Sequence, residues 1–103
     1  MNLNSINKLS ENKVLLILFS ISSNNPSNPC NLINTFITNH IFNYKNIQYI
    51  IFDIDNHKEL SNVFDINILP TIIFYSNSKI VKTIIGNDTL ELLQELKNLN
   101  KII

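Results

Sequence analysis

Few side chains in this sequence could do chemistry. The single cysteine, Cys30, closes a polar stretch, S-S-N-N-P-S-N-P-C, in which Ser27 stands three residues before it. Disulfide exchange needs one thiolate to attack and a second thiol to resolve the mixed disulfide, and one cysteine cannot form an internal disulfide. Two readings of Cys30 stay open: a small buried hydrophobe in the first turn of a helix, or a slow monothiol that takes up glutathione or a partner's thiol. Access to reagent separates them. Ser27 has no neighbouring base to activate its hydroxyl and reads as a loop residue. His40 falls on the apolar face of a helical pattern, the usual place of a satisfied boundary histidine. Asp53 and Asp55 precede His57 in a pattern that a metal could be imagined to use, but turn and cap hydrogen bonding explains it more simply. Asp65 and the lysines read as solvated surface. No Gly-rich phosphate loop, paired-cysteine zinc motif or Ser-His-Asp spacing is found, so neither a metal nor another cofactor is expected.

These residues are carried by elements that the periodicity outlines. Val14 to Ile21 is a run of large aliphatic residues, as in a strand buried on both faces, and sites in open α/β sheets gather at the carboxyl ends of such strands. Ser22 to Asn28 is loop by composition. Pro29 suits the first turn of a helix, where its missing N–H has no partner anyway. Ile33, Phe36, Ile37, His40, Ile41 and Tyr44 continue it as an amphipathic helix of about four turns. Ile6 and Leu9 suggest a short helix within Asn4 to Asn12. Ile47 to Ile54 reads as a second strand, parallel to the first through a right-handed crossover. His57 to Phe64 reads as a shorter helix, and Thr71 to Ser76 and Lys79 to Ile85 as an antiparallel hairpin turning at Asn77 and Ser78. Gly86 ends the hairpin. Asp88 with Glu91 three residues on opens a last helix buried through Leu92, Leu93, Leu96 and Leu99.

With 103 residues the chain is the size of one domain, 1–103. Hydrophobic residues make up 45%, charged residues 16%, and the formal net charge is zero, so no electrostatic footprint points to nucleic acid or an anionic membrane. No segment approaches the roughly 18 apolar residues of a membrane span. A cytoplasmic location follows as the expectation, and a lone cysteine fits a reducing compartment. The sequence holds no alanine or arginine and is crowded with asparagine and isoleucine, a bias that weakens propensity arguments.

In its landmarks the sequence resembles the thioredoxin family. S-N-P-C at Ser27 to Cys30 is placed like the family's C-G-P-C. I-L-P-T at Ile68 to Thr71 is placed like the segment holding the family's cis-proline, F-D-I-D at Phe52 to Asp55 resembles the end of the second central strand, and Gly86 precedes the final helix. The resemblance implies a single thioredoxin-like α/β domain: a mixed sheet of four to five strands with helices on both faces, built as βαβ plus ββα. The two parallel strands are expected at its centre and the hairpin at its edge. Four departures accompany it. Ser27 replaces the attacking cysteine, the preceding tryptophan is gone, the buried acid of the first strand falls on Leu18 or Ile21, and a lysine often opposite that acid falls on Ile51. The loop also looks about three residues longer.

In such folds the bond before the matching proline, Leu69 to Pro70 here, is cis. Ser27, Asn28, Pro29, Leu69, Pro70 and Gly86 would line a shallow groove able to bind an extended peptide by strand-like hydrogen bonds. Three functions are consistent with this sequence. The foremost is a relative of thiol-disulfide oxidoreductases that lacks dithiol turnover and binds a peptide or protein. The second is a monothiol redox protein using Cys30 with glutathione or a partner thiol. The third is a structural subunit of a larger assembly.

Overall fold

Strand β1 (Val14–Ser20) is buried along its whole length, and every other element is placed by that fact. Successive side chains of a strand point to opposite faces, so seven buried residues in a row need cover on both. The computed structural model describes residues 1–102 and supplies that cover with α1 (Leu3–Leu9), α2 (Pro29–His40), α3 (Lys58–Val63) and α4 (Thr89–Ile102). The remaining strands are β2 (Ile47–Asp53), β3 (Thr71–Ser76) and β4 (Lys79–Ile85).

Val14, Leu16 and Leu18 pack with Ile33 and Ile37 of α2 and with Leu92, Leu96 and Leu99 of α4. Leu15, Ile17 and Phe19 pack the other way, with Ile6 of α1, Leu60 of α3 and Phe52 of β2. Each fully buried side chain of this size is worth about 1.5–3 kcal/mol over leaving it exposed. Phe19 sits between Phe52 and Phe64, both ring centroids 5.7 Å away. The two helix pairs therefore sandwich one sheet.

The strands lie in the order β2-β1-β3-β4. β1 is parallel to β2, with Leu18 beside Ile51, and antiparallel to β3, with Phe19 beside Thr71. This corrects the expected arrangement: the parallel pair is not central, because β3 takes the other side of β1 and leaves β2 on an edge. The four described strands stand at the lower bound of the expected four to five. Burial along β2 shows the edge position, since Gln48 and Ile51 are exposed and Tyr49 and Ile50 only half-buried. An apolar run without alternation resembles a central, doubly covered strand, and here it is an edge strand covered only in part.

Local chemistry sets the boundaries. Asn28 caps α2 by accepting the Cys30 N–H at 2.9 Å, and Pro29 occupies the first helical position. The helix stops at His40 rather than running to Tyr44, and Ile41–Asn43 tighten into a 3₁₀ turn. Thr35, Thr38 and Asn39 are weak helix formers, and a tightened last turn satisfies part of the orphan carbonyls. Helix α3 begins at Lys58, with His57 at its cap position. Leu93 of α4 is half-buried, while Leu92, Leu96 and Leu99 are buried. Asn77 and Ser78 turn the hairpin with φ of 50° and 62°, a left-handed conformation that asparagine tolerates better than most residues. Gly86, at φ 83°, also lies in the region that favours glycine.

A clasp the sequence does not announce joins α1 to the hairpin turn. Buried Ser10 donates its hydroxyl to the Asn7 carbonyl at 2.8 Å and accepts the Ser78 N–H at 2.9 Å. The Ser10 carbonyl accepts the Asn77 N–H, and the Asn77 side-chain oxygen accepts the Asn12 N–H, both at 2.8 Å. Replacing Ser10 with alanine (Ser10→Ala) is expected to lower stability by about 1 kcal/mol, the usual net worth of a hydrogen bond. Chemical denaturation checks this, and an unchanged midpoint would contradict it.

Candidate functional site

At the carboxyl end of β1 the chain leaves the sheet at Ser20 and returns as α2 at Pro29. The loop between them is held by its own polar side chains. Asn31, in the first turn of α2, donates its amide to the Ser23 carbonyl at 3.0 Å and to the Asn25 carbonyl at 2.7 Å. Asn25 accepts the Ser27 N–H at 3.0 Å, and its carbonyl accepts the Asn28 N–H at 3.0 Å. Asn31 thus fixes the loop onto the helix it precedes. An asparagine one turn after a loop rich in serine and asparagine was the available signal, and the composition bias obscured it.

Ser27 and Pro29 are exposed on this loop and Asn28 is half-buried beneath its cap bond. Cys30 is 4% exposed and is a free thiol. The only reactive sulfur lies under the surface, while the outward position carries a hydroxyl.

The register of β1 with β3 brings a second segment alongside. One step beyond the Phe19 and Thr71 pair lie Ser20 and Pro70, so the approach to β3 runs past the mouth of the loop. The Leu69–Pro70 bond is cis, Pro70 is buried, and its carbonyl accepts the Gly86 N–H at 2.8 Å. Thr71 donates its hydroxyl to the Ile68 carbonyl, which shapes the turn. Among the described residues neither the N–H nor the C=O of half-buried Leu69 has a backbone partner. Ile68 and Ile85, 54% and 57% exposed, add apolar surface at the same end of the sheet.

Of the two candidate positions for the strand acid, only Leu18 lies within β1, fully buried on the face that α2 covers. Ile21 lies just past the strand and is half-buried. Leu18 is the direct neighbour of Ile51, so the two positions where the resemblance implies an acid and a lysine sit side by side, and both are aliphatic. Neither Leu18 nor Ile51 carries a group that can exchange a proton with the buried thiol.

The remaining polar candidates do structural work. Asp53 accepts the Ser22 hydroxyl at 2.5 Å and the Asp55 N–H at 2.9 Å. The Ser22 bond first, then the Asp55 backbone bond, hold its carboxyl below the ordinary range, with a small contribution from His57. His57 Nδ1–H donates to the Asp53 carbonyl at 3.1 Å, since a carbonyl can only accept. His40 donates in the same way to the Phe36 carbonyl at 2.7 Å and stacks on the Phe36 ring. Asp65, at φ 53°, ends α3 and is exposed. Among the described residues no three His, Cys, Asp or Glu side chains are grouped to hold a metal ion. Tyr49 donates its hydroxyl to Asn34 at 2.7 Å, and burial pushes its phenol pKa up.

Two outcomes follow from this geometry. Native Cys30 should react slowly with a chromogenic disulfide at neutral pH and promptly in denaturant; equal rates would contradict its burial. Ser22→Ala should raise the Asp53 pKa toward the ordinary value of about 3.9, read by carboxylate NMR titration. Because the folded value is depressed, the bond's contribution to stability is present above the ordinary value and is lost as pH falls through the depressed one. An unmoved titration would show that Ser22 does not hold the carboxylate.

Comparison with known proteins places these features. The chain is similar in structure to the thioredoxin of Fasciola hepatica, at 16% identity and a TM-score of 0.83 over 93% of this chain and 89% of that one. Mitochondrial thioredoxin 3 of Saccharomyces cerevisiae is similar at 21% identity and a TM-score of 0.81, covering 94% and 90% of the two chains. Plasmodium falciparum thioredoxin is similar at 26% identity and a TM-score of 0.75, covering 94% and 81%. A search of curated protein sequences finds no match. The Thioredoxin family model matches residues 4–98. With that match and the sheet described above, the chain belongs to the thioredoxin family and is related to thiol-disulfide oxidoreductases.

Proposed function

We propose that this protein has given up dithiol turnover and binds an extended peptide or a partner protein along the groove between the Ser27–Cys30 loop and Pro70. The observation that carries the proposal is the inversion at the loop: the exposed position holds Ser27, and the sole thiol, Cys30, is 4% exposed behind it. Sulfur exchange has no attacking group at the surface and no resolving partner inside. The unpaired N–H and C=O of Leu69 remain available to a strand-like ligand, which main-chain hydrogen bonds would hold. Exposed Ile68 and the loop prolines Pro26 and Pro29 offer apolar contact on either side. The self-bonded loop supports this use, because a groove wall already ordered loses little entropy on binding. No nucleic acid, metal or cofactor is part of this reading. Among the described residues no helix is long and apolar enough to cross a membrane; the cytoplasmic location in this proposal rests on the lone cysteine, which fits a reducing compartment.

The burial of Cys30 ranks a monothiol reaction with glutathione second. With dithiothreitol as electron source, the protein should not accelerate insulin reduction above the uncatalysed rate. Ser27→Cys should restore weak exchange only, since Leu18 and Ile51 supply neither acid nor base beside the buried thiol. Wild-type turnover near that of a dithiol thioredoxin would refute the proposal. Affinity capture with wild type beside Pro70→Thr and Ile68→Asp tests the groove itself. A partner held by wild type and lost from both variants is expected, and a partner retained by both would place binding elsewhere. Ile68 is exposed, so its variant separates lost binding from lost folding.

A further inference from the structure

The sheet has two edges, and they differ. β4 carries Lys79 and Lys82, with Lys82 bonded to Glu91 of α4 at 3.0 Å, and lysines on an edge discourage pairing with other chains. β2 carries no charge from Ile47 to Phe52. Among the described residues no strand pairs with its outer side.

Which backbone groups point outward follows from parity. In a parallel strand the N–H and C=O of one residue lie on the same side and those of the next on the other. The Ile54 N–H bonds inward to the Ser20 carbonyl at 3.0 Å, so Phe52, Ile50 and Gln48 also face β1. Ile47, Tyr49, Ile51 and Asp53 face out. Two of their groups are already used: the Ile47 N–H donates to the Tyr44 carbonyl, and the Asp53 carbonyl accepts from Asn56 and from His57. Both groups of Tyr49 and both of Ile51 have no backbone partner outside the strand ladder.

We propose that a second copy of this chain docks on β2, antiparallel, with Ile50 facing Ile50 of the other copy across a two-fold axis, joining the two sheets into one of eight strands. In this register Tyr49 of each copy meets Ile51 of the other as a hydrogen-bonded pair, which satisfies their four groups per copy, and the free Asp53 N–H of each copy faces the free Ile47 carbonyl of the other. The two groups already used, on Ile47 and Asp53, face each other and lose nothing. The pattern of free and occupied groups is thus palindromic about Ile50, which is why a second copy fits better than an unrelated strand. Side chains agree with the backbone. Tyr49 and the 46% exposed Ile51 share the α2 face, and an aromatic opposite a β-branched residue is a favourable cross-strand pair. A two-fold contact is self-complementary, with the same patch on both sides. This inference is independent of the groove, which lies at the Pro70 end of the sheet.

Light scattering and sedimentation of the purified protein over a concentration series should show a dimer. Ile51→Lys, an exposed position that the monomer tolerates, should shift the population to monomer, and Ile80→Lys on β4 should not. Register is tested in a Cys30→Ser background. Ile50→Cys should form a disulfide-linked dimer on mild oxidation, because residues facing each other in a non-hydrogen-bonded pair have Cα atoms about 4.5 Å apart. Gln48→Cys should not, since its two copies would lie about 14 Å apart along the strands. A monomer at every concentration, a dimer indifferent to Ile51→Lys, a dimer broken by Ile80→Lys, or cross-linking at 48 as fast as at 50 would each overturn the proposal.

Discussion

Everything in this molecule is subordinate to one constraint: β1 must be hidden on both sides. Seven consecutive buried residues leave no solvated face, and a chain of this size can satisfy that only by laying helices above and below a single sheet. The crossover through α2 follows, because β2 can be parallel to β1 only if the chain returns across one face. The hairpin β3–β4 fills the other side. Its approach through Leu69 and Pro70 then runs antiparallel to β1, past the point where β1 releases the chain into its loop. The proposed groove would be a by-product of covering that strand.

How far the sequence discloses this depends on where its signals are local. Thr71 to Ser76, Lys79 to Ile85 and the turn at Asn77 and Ser78 are readable to the residue, because strand alternation and turn chemistry act over a few positions. The cap at Asn28 and the start at Pro29 belong to the same class. Strand order does not. Ile47 to Asp53 looks like a covered strand, and in a sequence that uses isoleucine so freely an apolar run does not distinguish a centre from an edge. Long-range hydrogen bonds are equally silent, since Ser10, Asn12 and Asn31 look like any other polar residue until the fold places their partners. At the site, the missing thiol was plain at Ser27. That Leu18 lies within β1 and Ile21 just past it could be read only from where β1 ends.

On the proposed reading, the register gives one reason for the acid and the lysine to be absent together. Leu18 and Ile51 are neighbours across the parallel pair. A carboxyl buried at Leu18 is tolerable only with something to compensate it, and the strand neighbours beside it are Ile51 and Ile72. With serine at position 27, an acid at Leu18 would carry its burial cost without its use, and aliphatic groups at both positions avoid that cost. Packing then takes over the space: Leu18 joins Ile33, Ile37 and Ile72 in the core.

The clasp between Ser10 and the hairpin turn bears on how the chain assembles. Its bonds join residues 65 and 68 positions apart in sequence, so they cannot form until β3 and β4 are in place beside β1. Closing so long a loop costs entropy before any contact is made, and an α1 of seven residues is too short to persist alone. This segment, although it precedes the hairpin in the chain, can therefore lock only after the hairpin. It acts as a latch that locks only onto a finished sheet, and a chain with a mispaired hairpin leaves it hanging and Leu15, Ile17 and Ile73 uncovered.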